Sequence, residues 1–218
     1  MIIQIAGVKN RKELDIIINS GATSIGFPLR LPIHKADTSE KEARSLIQRT
    51  PDNIDKVLIT YMDSSKEIME LAMYLGTNFV QLHGDINIAE IKKIKKKHPE
   101  VKIIKSLIVN KDNFNELSKT VAEFENHVDF FITDTFDPDT GASGATGKTH
   151  DWNISKKIVQ LSKKPVIIAG GLTPDNVAQA IKIIRPAGVD VHTGVENRQG
   201  EKDISLINKF VKEAKEVL

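Results

Sequence analysis

The chain has 218 residues, of which 40% are hydrophobic, and a formal net charge of +2. This length and composition allow a large core, and the small net charge gives no indication of nucleic-acid binding. No run of 18 apolar residues could span a bilayer, and the sequence after Met1 has neither the basic region nor the cleavage site of a secretion signal. The absence of cysteine excludes disulfides and thiol chemistry and is consistent with a cytoplasmic protein.

Eight short runs rich in Ile, Val and Phe alternate along the chain with stretches in which apolar residues recur every three or four positions. The predicted strands are Ile2–Ala6, Ser24–Phe27, Lys56–Tyr61, Asn78–His83, Lys102–Leu107, Val128–Asp134, Val166–Ala169 and Gly188–His192. The helix-start signals are Thr38-Ser-Glu-Lys41, Asp63-Ser-Ser-Lys66, Thr173-Pro-Asp-Asn176 and Asp203-Ile-Ser-Leu206.

This alternation predicts the fold class. Eight β–α units must cover both faces of a parallel sheet, so we expect an α/β protein that forms a single (β/α)8 TIM barrel. No Pro-, Ser- or Gly-rich linker divides the chain, and residues 1–218 are expected to form one domain.

Two glycine turns follow the seventh and eighth predicted strands. Gly170 and Gly171 precede a helix-start signal, and Thr193 and Gly194 follow His192. Bare glycine lets backbone N–H groups approach an anion, and a helix N-terminus adds partial positive charge. Barrels often bind phosphate at this position, whereas an open Rossmann or flavodoxin-like sheet has its glycines after the first strand. The turns therefore favour the barrel and predict a phosphorylated small-molecule ligand.

Asp134 ends the sixth predicted strand. With a period of two, Phe130, Ile132 and Asp134 face the barrel interior, while Phe131 and Thr133 face the helices. A carboxylate at the end of an apolar strand is a candidate general acid, because desolvation raises its pKa. The alternative is an aspartate that caps a helix or braces a loop.

The segment from Asp137 to Trp152 is rich in small residues and is longer than a plain connection needs to be. We predict that it is a mobile loop that closes over the substrate. Its Gly147-Lys-Thr149 resembles the end of a nucleotide-binding P-loop, but Ala142 stands where the first glycine of that motif belongs. The sequence therefore disfavours a P-loop nucleoside triphosphatase.

Two histidines, His83 and His192, end the fourth and eighth predicted strands. Their position at strand ends favours a functional role over an ordinary structural one. No spacing of His, Asp and Glu resembles a metal site, and we expect neither a metal nor another cofactor.

Taken together, the motifs resemble the phosphoribosylanthranilate isomerase family. They occur in that family's order: Gln81-Leu-His-Gly84, Thr133-Asp-Thr135, Gly144-Ala-Thr-Gly-Lys-Thr-His-Asp-Trp152, Ala169-Gly-Gly-Leu-Thr-Pro-Asp-Asn-Val177, Gly188-Val-Asp-Val-His-Thr-Gly-Val-Glu196 and Gly200-Glu-Lys-Asp203. The resemblance implies a (β/α)8 barrel that catalyses the Amadori rearrangement of N-(5′-phosphoribosyl)anthranilate in tryptophan biosynthesis. That reaction needs an acid that protonates the ring oxygen and a base that removes the C2′ proton.

The resemblance also implies roles for individual residues. Asp134 matches the family's acid. The residues that match its phosphate cradle and closing loop are Gly170, Gly171, Thr193, Gly194, Gly144, Thr146 and Gly147. His83, in the fourth-strand motif, is a further candidate for substrate binding.

The general base does not match the family. The family's first strand typically reads Lys-Ile-Cys-Gly, with the cysteine as base, whereas this chain reads Gln4-Ile-Ala-Gly7. Alanine cannot accept a proton, and loss of a general base commonly costs ~10²–10⁴ in rate. His192 stands where the family usually has serine, and the eighth strand of a closed barrel adjoins the first. We therefore hypothesise that His192 supplies the base; the alternative is a structural or phosphate-contacting role.

The second connection also departs from the family. A Ser-x-Arg pattern usually holds the anthranilate carboxylate there, and in this chain Lys35 lies nearest the expected position, with Arg30 as the alternative. The chain is thus either an isomerase with an altered base or a barrel that acts on, or merely binds, another phosphorylated sugar-like metabolite. Monomers and homodimers are both compatible with the sequence.

Overall fold

The computed structural model describes residues 1–32, 36–137, 142–143 and 151–217. Eight parallel strands follow one another around a closed barrel. Their bounds are β1 Ile2–Ala6, β2 Ser24–Pro28, β3 Asp55–Thr60, β4 Phe79–Leu82, β5 Lys102–Val109, β6 Phe130–Asp137, β8 Val166–Ile168 and β9 Gly188–Val191. The pairing of β5 with β6 closes the barrel, and this confirms the predicted (β/α)8 fold.

A ninth strand, β7, consists of Ala142–Ser143 and pairs antiparallel with the end of β6. The residue pattern does not predict this strand, because two residues are too few to show a detectable alternation. The eight barrel strands were predicted with ends that lie within three residues of the observed ends.

Eight α-helices lie between and after the barrel strands in the part of the chain that the structure describes. They are α1 Arg11–Ser20, α2 Glu40–Arg49, α3 Ser65–Leu75, α4 Ile88–Lys97, α5 Phe114–Phe124, α6 Trp152–Leu161, α7 Val177–Ile184 and α8 Ile204–Lys215. Asp203 caps α8 by accepting hydrogen bonds from the N–H groups of Ser205 and Leu206, as its sequence signal predicts. None of the helices described is long and apolar enough to cross a membrane.

The core has two layers that follow from the period-two pattern of the strands. One cluster fills the barrel interior and contains Ala6, Val57, Ile59, Ile104, Ile132, Ile167 and Ala169. The larger cluster lies between the strands and the helices and includes Phe131, and Thr133 on the same face contacts Ser155 of α6. Asp134 and Asp190 occupy strand positions that face the barrel interior. Because both lie near the carboxyl ends of their strands, their side chains lie at the carboxyl rim of the barrel.

Candidate active site

Asp134 lies near the carboxyl end of β6 and is only 6% exposed. Burial raises the pKa of its carboxyl group to about 7, and the nearby charge of Asp190 acts in the same direction, against the lowering effect of the Thr135 N–H. That N–H donates to Oδ1 of Asp134 over 2.7 Å. A carboxyl group with this pKa carries a proton for a substantial fraction of the time near neutral pH, as a general acid requires.

The two glycine turns lie beside Asp134, as the strand order predicts. Gly170, Gly171, Thr193 and Gly194 line one narrow cavity together with Asp134. The other residues that line this cavity are Leu172, Asp190, Val191 and His192. The structure thus brings together six of the predicted site residues.

Space around the first glycine turn is tight. Gly170 has a left-handed backbone, with φ of 88°, and a Cβ at this position would clash with Oγ1 of Thr135. The side chain of Asn176 braces the turn by donating to the Gly171 carbonyl over 3.0 Å and accepting from the Thr173 N–H over 2.8 Å. The bare backbone at this rim therefore has a fixed shape, which suits recognition of an anion by N–H groups.

His192 follows β9 directly, and its ring lies over Gly7 in the turn after β1. Because Ile5 pairs with Val191, the next residues along the two strands, Ala6 and His192, are neighbours. A Cβ on Gly7 would clash with the imidazole ring. The ring therefore lies next to the residue that stands in place of the family's cysteine.

Two carboxylates face the imidazole ring of His192. Its Nε2 lies 3.5 Å from Oδ2 of Asp37 and 3.6 Å from Oε1 of Glu196. Lys202 has a fully buried side chain, and its Nζ lies 3.0 Å from Oε1 of Glu196 and donates to the His192 carbonyl over 2.9 Å. The histidine is therefore held both at its ring and at its backbone.

Asp37 and Asp190 were not singled out as site residues from the sequence. Asp190 has a signal, since its parity on the eighth strand is the same as that of His192. No sequence signal points to Asp37, because it lies in a connection without a periodic pattern. Only folding brings it close to His192.

The remaining predicted residues do not line this cavity or lie outside the described chain. Arg30 forms an ion pair with Glu40 over 2.8 Å, and both side chains are substantially exposed. The backbone of Arg30 is left-handed, with φ of 53°. Lys35, Gly144, Thr146 and Gly147 lie outside the described residues, and so does most of the predicted closing loop.

His83 faces a second cavity of about 960 Å³ at the β3–β5 side of the same rim. Its Nδ1 lies 3.0 Å from Oγ of Ser106, and its ring contacts that of Tyr61. Burial raises the pKa of Tyr61 to about 12, with a further contribution from the charge of Asp134. His83 therefore lies apart from the glycine turns but shares a neighbour with Asp134.

The fold and the residues at the rim together indicate the structural class of the protein. The protein is a (β/α)8 barrel with a buried carboxyl group and two glycine turns at the carboxyl rim, after the last two barrel strands. Residues 3–213 match the model of the N-(5′-phosphoribosyl)anthranilate (PRA) isomerase family. The chain belongs to this family.

Individual relatives are similar over almost the whole chain. A protein of Methanosarcina mazei named N-(5′-phosphoribosyl)anthranilate isomerase 2 is 37% identical over 99% of this chain and 94% of its own length. The isomerase of Methanothrix thermoacetophila is 32% identical, and the match covers 96% of each chain. Among solved structures, phosphoribosyl anthranilate isomerase of Thermotoga maritima has a TM-score of 0.84 at 29% identity, covering 99% of this chain and 100% of its own.

One similar solved structure has a ligand. It is a phosphoribosyl anthranilate isomerase in complex with reduced 1-(o-carboxyphenylamino)-1-deoxyribulose 5-phosphate, with a TM-score of 0.82 at 27% identity. The match covers 99% of this chain and 100% of that one.

Proposed function

We propose that this protein is an active phosphoribosylanthranilate isomerase of tryptophan biosynthesis in which a histidine replaces the family's cysteine base. The observation that carries the proposal is the convergence of Asp134, His192 and both glycine turns on one rim, in a chain that belongs to this family. The substrate is N-(5′-phosphoribosyl)anthranilate, and no cofactor takes part. We place the reaction in the cytoplasm. The protein acts as a monomer or as a homodimer in this proposal.

Asp134 acts as the general acid in this proposal. Its protonated carboxyl group donates to the ring oxygen of the ribose, the C1′–O bond breaks, and a Schiff base forms between C1′ and the anthranilate nitrogen. The raised pKa supports the role, because an ordinary aspartate would be almost fully ionised near pH 7. The low exposure of Asp134 keeps the proton away from bulk water.

His192 acts as the general base. It removes the C2′ proton of the Schiff base, the C–H electrons form a C1′=C2′ double bond, and the C=N electrons return to nitrogen. The enol-amine then becomes the ketone product. The position of the ring beside Ala6 and over Gly7 supports this role, since the family's base occupies the corresponding place on the first strand.

The glycine turns bind the phosphate group. Gly170, Gly171 and Gly194 present backbone to the rim without side chains in the way, and Thr193 adds a hydroxyl group. Residues Gly144, Thr146 and Gly147 complete the enclosure in this proposal, and Lys35 or Arg30 contacts the anthranilate carboxylate. His83 contributes from the neighbouring part of the rim.

A second candidate function rests on the two altered positions of β1. Gln4 and Ala6 replace the lysine and cysteine that the family typically has, which is the change expected in a barrel that acts on, or only binds, another phosphorylated sugar-like metabolite. Phosphate recognition would be retained in such a protein and isomerisation would be lost.

Complementation of a tryptophan auxotroph that lacks the isomerase separates the two functions. We expect the wild-type gene to restore growth without tryptophan. Growth with Ala6→Cys alone would show a substrate site that lacks its base, and growth with neither gene would contradict the proposed function. Western blotting for equal soluble expression controls for poor folding.

A further inference from the structure

We propose that Asp37 is the positioning residue of the base: its carboxylate faces Nε2 of His192 and fixes the ring so that Nδ1 accepts the C2′ proton. This inference rests on the proposed function. It assigns a role to a residue of the second connection, which has no recognisable pattern in the sequence.

The two carboxylates lie at almost the same distance from Nε2, and their charge partners distinguish Asp37 from Glu196. Glu196 lies 3.6 Å from Nε2, but it is also 3.0 Å from Nζ of the buried Lys202, which compensates its charge. Asp37 lies 3.5 Å from Nε2 and forms no ion pair with a lysine or arginine of the described chain. Its negative charge, on which Lys202 and Lys9 act only over a longer range, therefore stabilises a protonated imidazole ring more directly than the ion-paired charge of Glu196 does.

The ring has little freedom to turn away from Asp37. Gly7 has a φ of 78° and lies so close that the imidazole ring occupies the place of its missing Cβ. Lys202 donates to the backbone carbonyl of His192 over 2.9 Å, which fixes the main chain from which the ring extends. The side chains of Asp37 and His192 are only 14% and 18% exposed.

The other ring nitrogen is Nδ1. No hydrogen bond from it to a described residue accompanies the contacts of Nε2 with Asp37 and Glu196. When Nε2 carries the ring proton and faces Asp37, the lone pair lies on Nδ1.

The proton balance of the step follows from this tautomer. Nδ1 takes the proton from C2′, and the two electrons of that C–H bond form the enol-amine double bond. The resulting imidazolium carries its positive charge beside the carboxylate of Asp37, and His192 releases the proton to solvent before the next turnover.

Asp37→Asn tests the inference, with Asp15→Asn as the matched control. Asp15 lies on α1, is 58% exposed and pairs only loosely with Arg11 at 3.8 Å. We expect Asp37→Asn to lower kcat at least about tenfold while KM changes less than about twofold, since the acceptor is weakened but the substrate contacts remain. Asp37→Glu should recover part of the loss, and Asp15→Asn should behave as the wild type.

The pH profile separates positioning from a merely structural role. Without the carboxylate, the acidic side of the kcat profile should move to lower pH, because a protonated imidazole ring loses its counter-charge. Asp190, Glu196, Lys202 and Lys9 also surround the His192–Asp37 pair, and they are the same in all variants. An unchanged kcat and an unchanged acidic limb would overturn the inference.

A titration of the free protein gives a readout without activity. Burial raises the pKa of Asp37, but the hydrogen bond and charge of His192, with Lys202 and Lys9, hold it below the ordinary value. In His192→Gln, NMR of the Asp37 carboxyl carbon should therefore show a higher pKa than in the wild type. An equal pKa of Asp37 in the two proteins would overturn the contact between Asp37 and His192. A higher pKa of Asp37 in His192→Gln together with an inactive wild type would instead overturn the proposed function and the base role that depends on it.

Discussion

Gln4 on β1 lies opposite Asp190 on β9 in the parallel register, yet Oδ1 of Asp190 is buried without a hydrogen-bond partner. The amide of Gln4 donates to Gln81 over 3.2 Å and also bonds the carboxyl group of Asp190, and its carbonyl accepts from Ser24 over 3.0 Å. Burial raises the pKa of Asp190 to about 6, against the lowering influence of Gln4, His192 and Lys202. A buried carboxylate that lacks a full set of partners is destabilising once it ionises.

Asp190→Asn should therefore stabilise the fold at alkaline pH. The folded-state pKa lies above that of the unfolded chain, so the stability linked to this proton is present below about pH 4 and is lost as the pH rises through about 6. We expect urea unfolding at pH 8 to show a gain on the order of 1–3 kcal/mol, with a smaller difference at pH 4. This explanation of Asp190 would be contradicted if the free energy of unfolding changed by the same amount at both pH values. It would also be contradicted if the control Asp15→Asn gave an equal gain.

Asp134→Asn should abolish most of the turnover without abolishing phosphate binding. The amide cannot donate an acidic proton to the ring oxygen, and removal of such a group typically costs ~10²–10⁴ in rate. In the wild type, activity should decline above about pH 7, because Asp134 loses its proton there. Steady-state kinetics across pH and calorimetric titration with a phosphorylated product analogue check both points. A wild-type profile that stays flat from pH 6 to pH 9 would remove Asp134 from the role of acid.

Gly170→Ala and Gly76→Ala form a matched pair for the phosphate turn. Both glycines have left-handed backbones, with φ of 88° and 83°, but a Cβ at Gly76 would meet nothing within 4 Å while one at Gly170 would clash with Thr135. The left-handed conformation alone costs about 1–2 kcal/mol for alanine. We expect that loss for Gly76→Ala, and a larger loss of stability plus weaker ligand binding for Gly170→Ala. Equal effects of the two substitutions on ligand affinity would argue against a phosphate site at this turn.

Lys202→Met should destabilise the protein much more than Lys212→Met. Lys202 is fully buried between Glu196 and the His192 carbonyl, and its removal leaves the Glu196 carboxylate, which is 14% exposed, without its cation. Breaking such a pair costs about 3–5 kcal/mol when fully buried, and less here because Glu196 retains some contact with water. Lys212 is 70% exposed and pairs with Glu216 at 3.7 Å, so its loss should change stability by less than about 0.5 kcal/mol. Chemical unfolding of the two variants measures the difference.

The sequence predicted the barrel because each strand is a short apolar run and each connection carries a helical period. It also placed Asp134, His192 and the glycine turns at one rim, since strand ends of a closed parallel sheet meet there. It missed Asp37, which lies in an irregular connection and comes close to His192 only in the folded chain. The hydrogen-bond partners of Gln4 could not be predicted either. Strand parity shows that its side chain faces the barrel interior, but not which neighbouring side chains its amide group bonds.

The role of His192 as the base is decided by comparing the turnover of N-(5′-phosphoribosyl)anthranilate by purified wild type and His192→Ala. We expect an active wild type and a variant whose kcat is reduced by ~10² or more, with near-native circular dichroism and thermal stability. Equal kcat values in the two proteins, or no turnover by a correctly folded wild type, would contradict it.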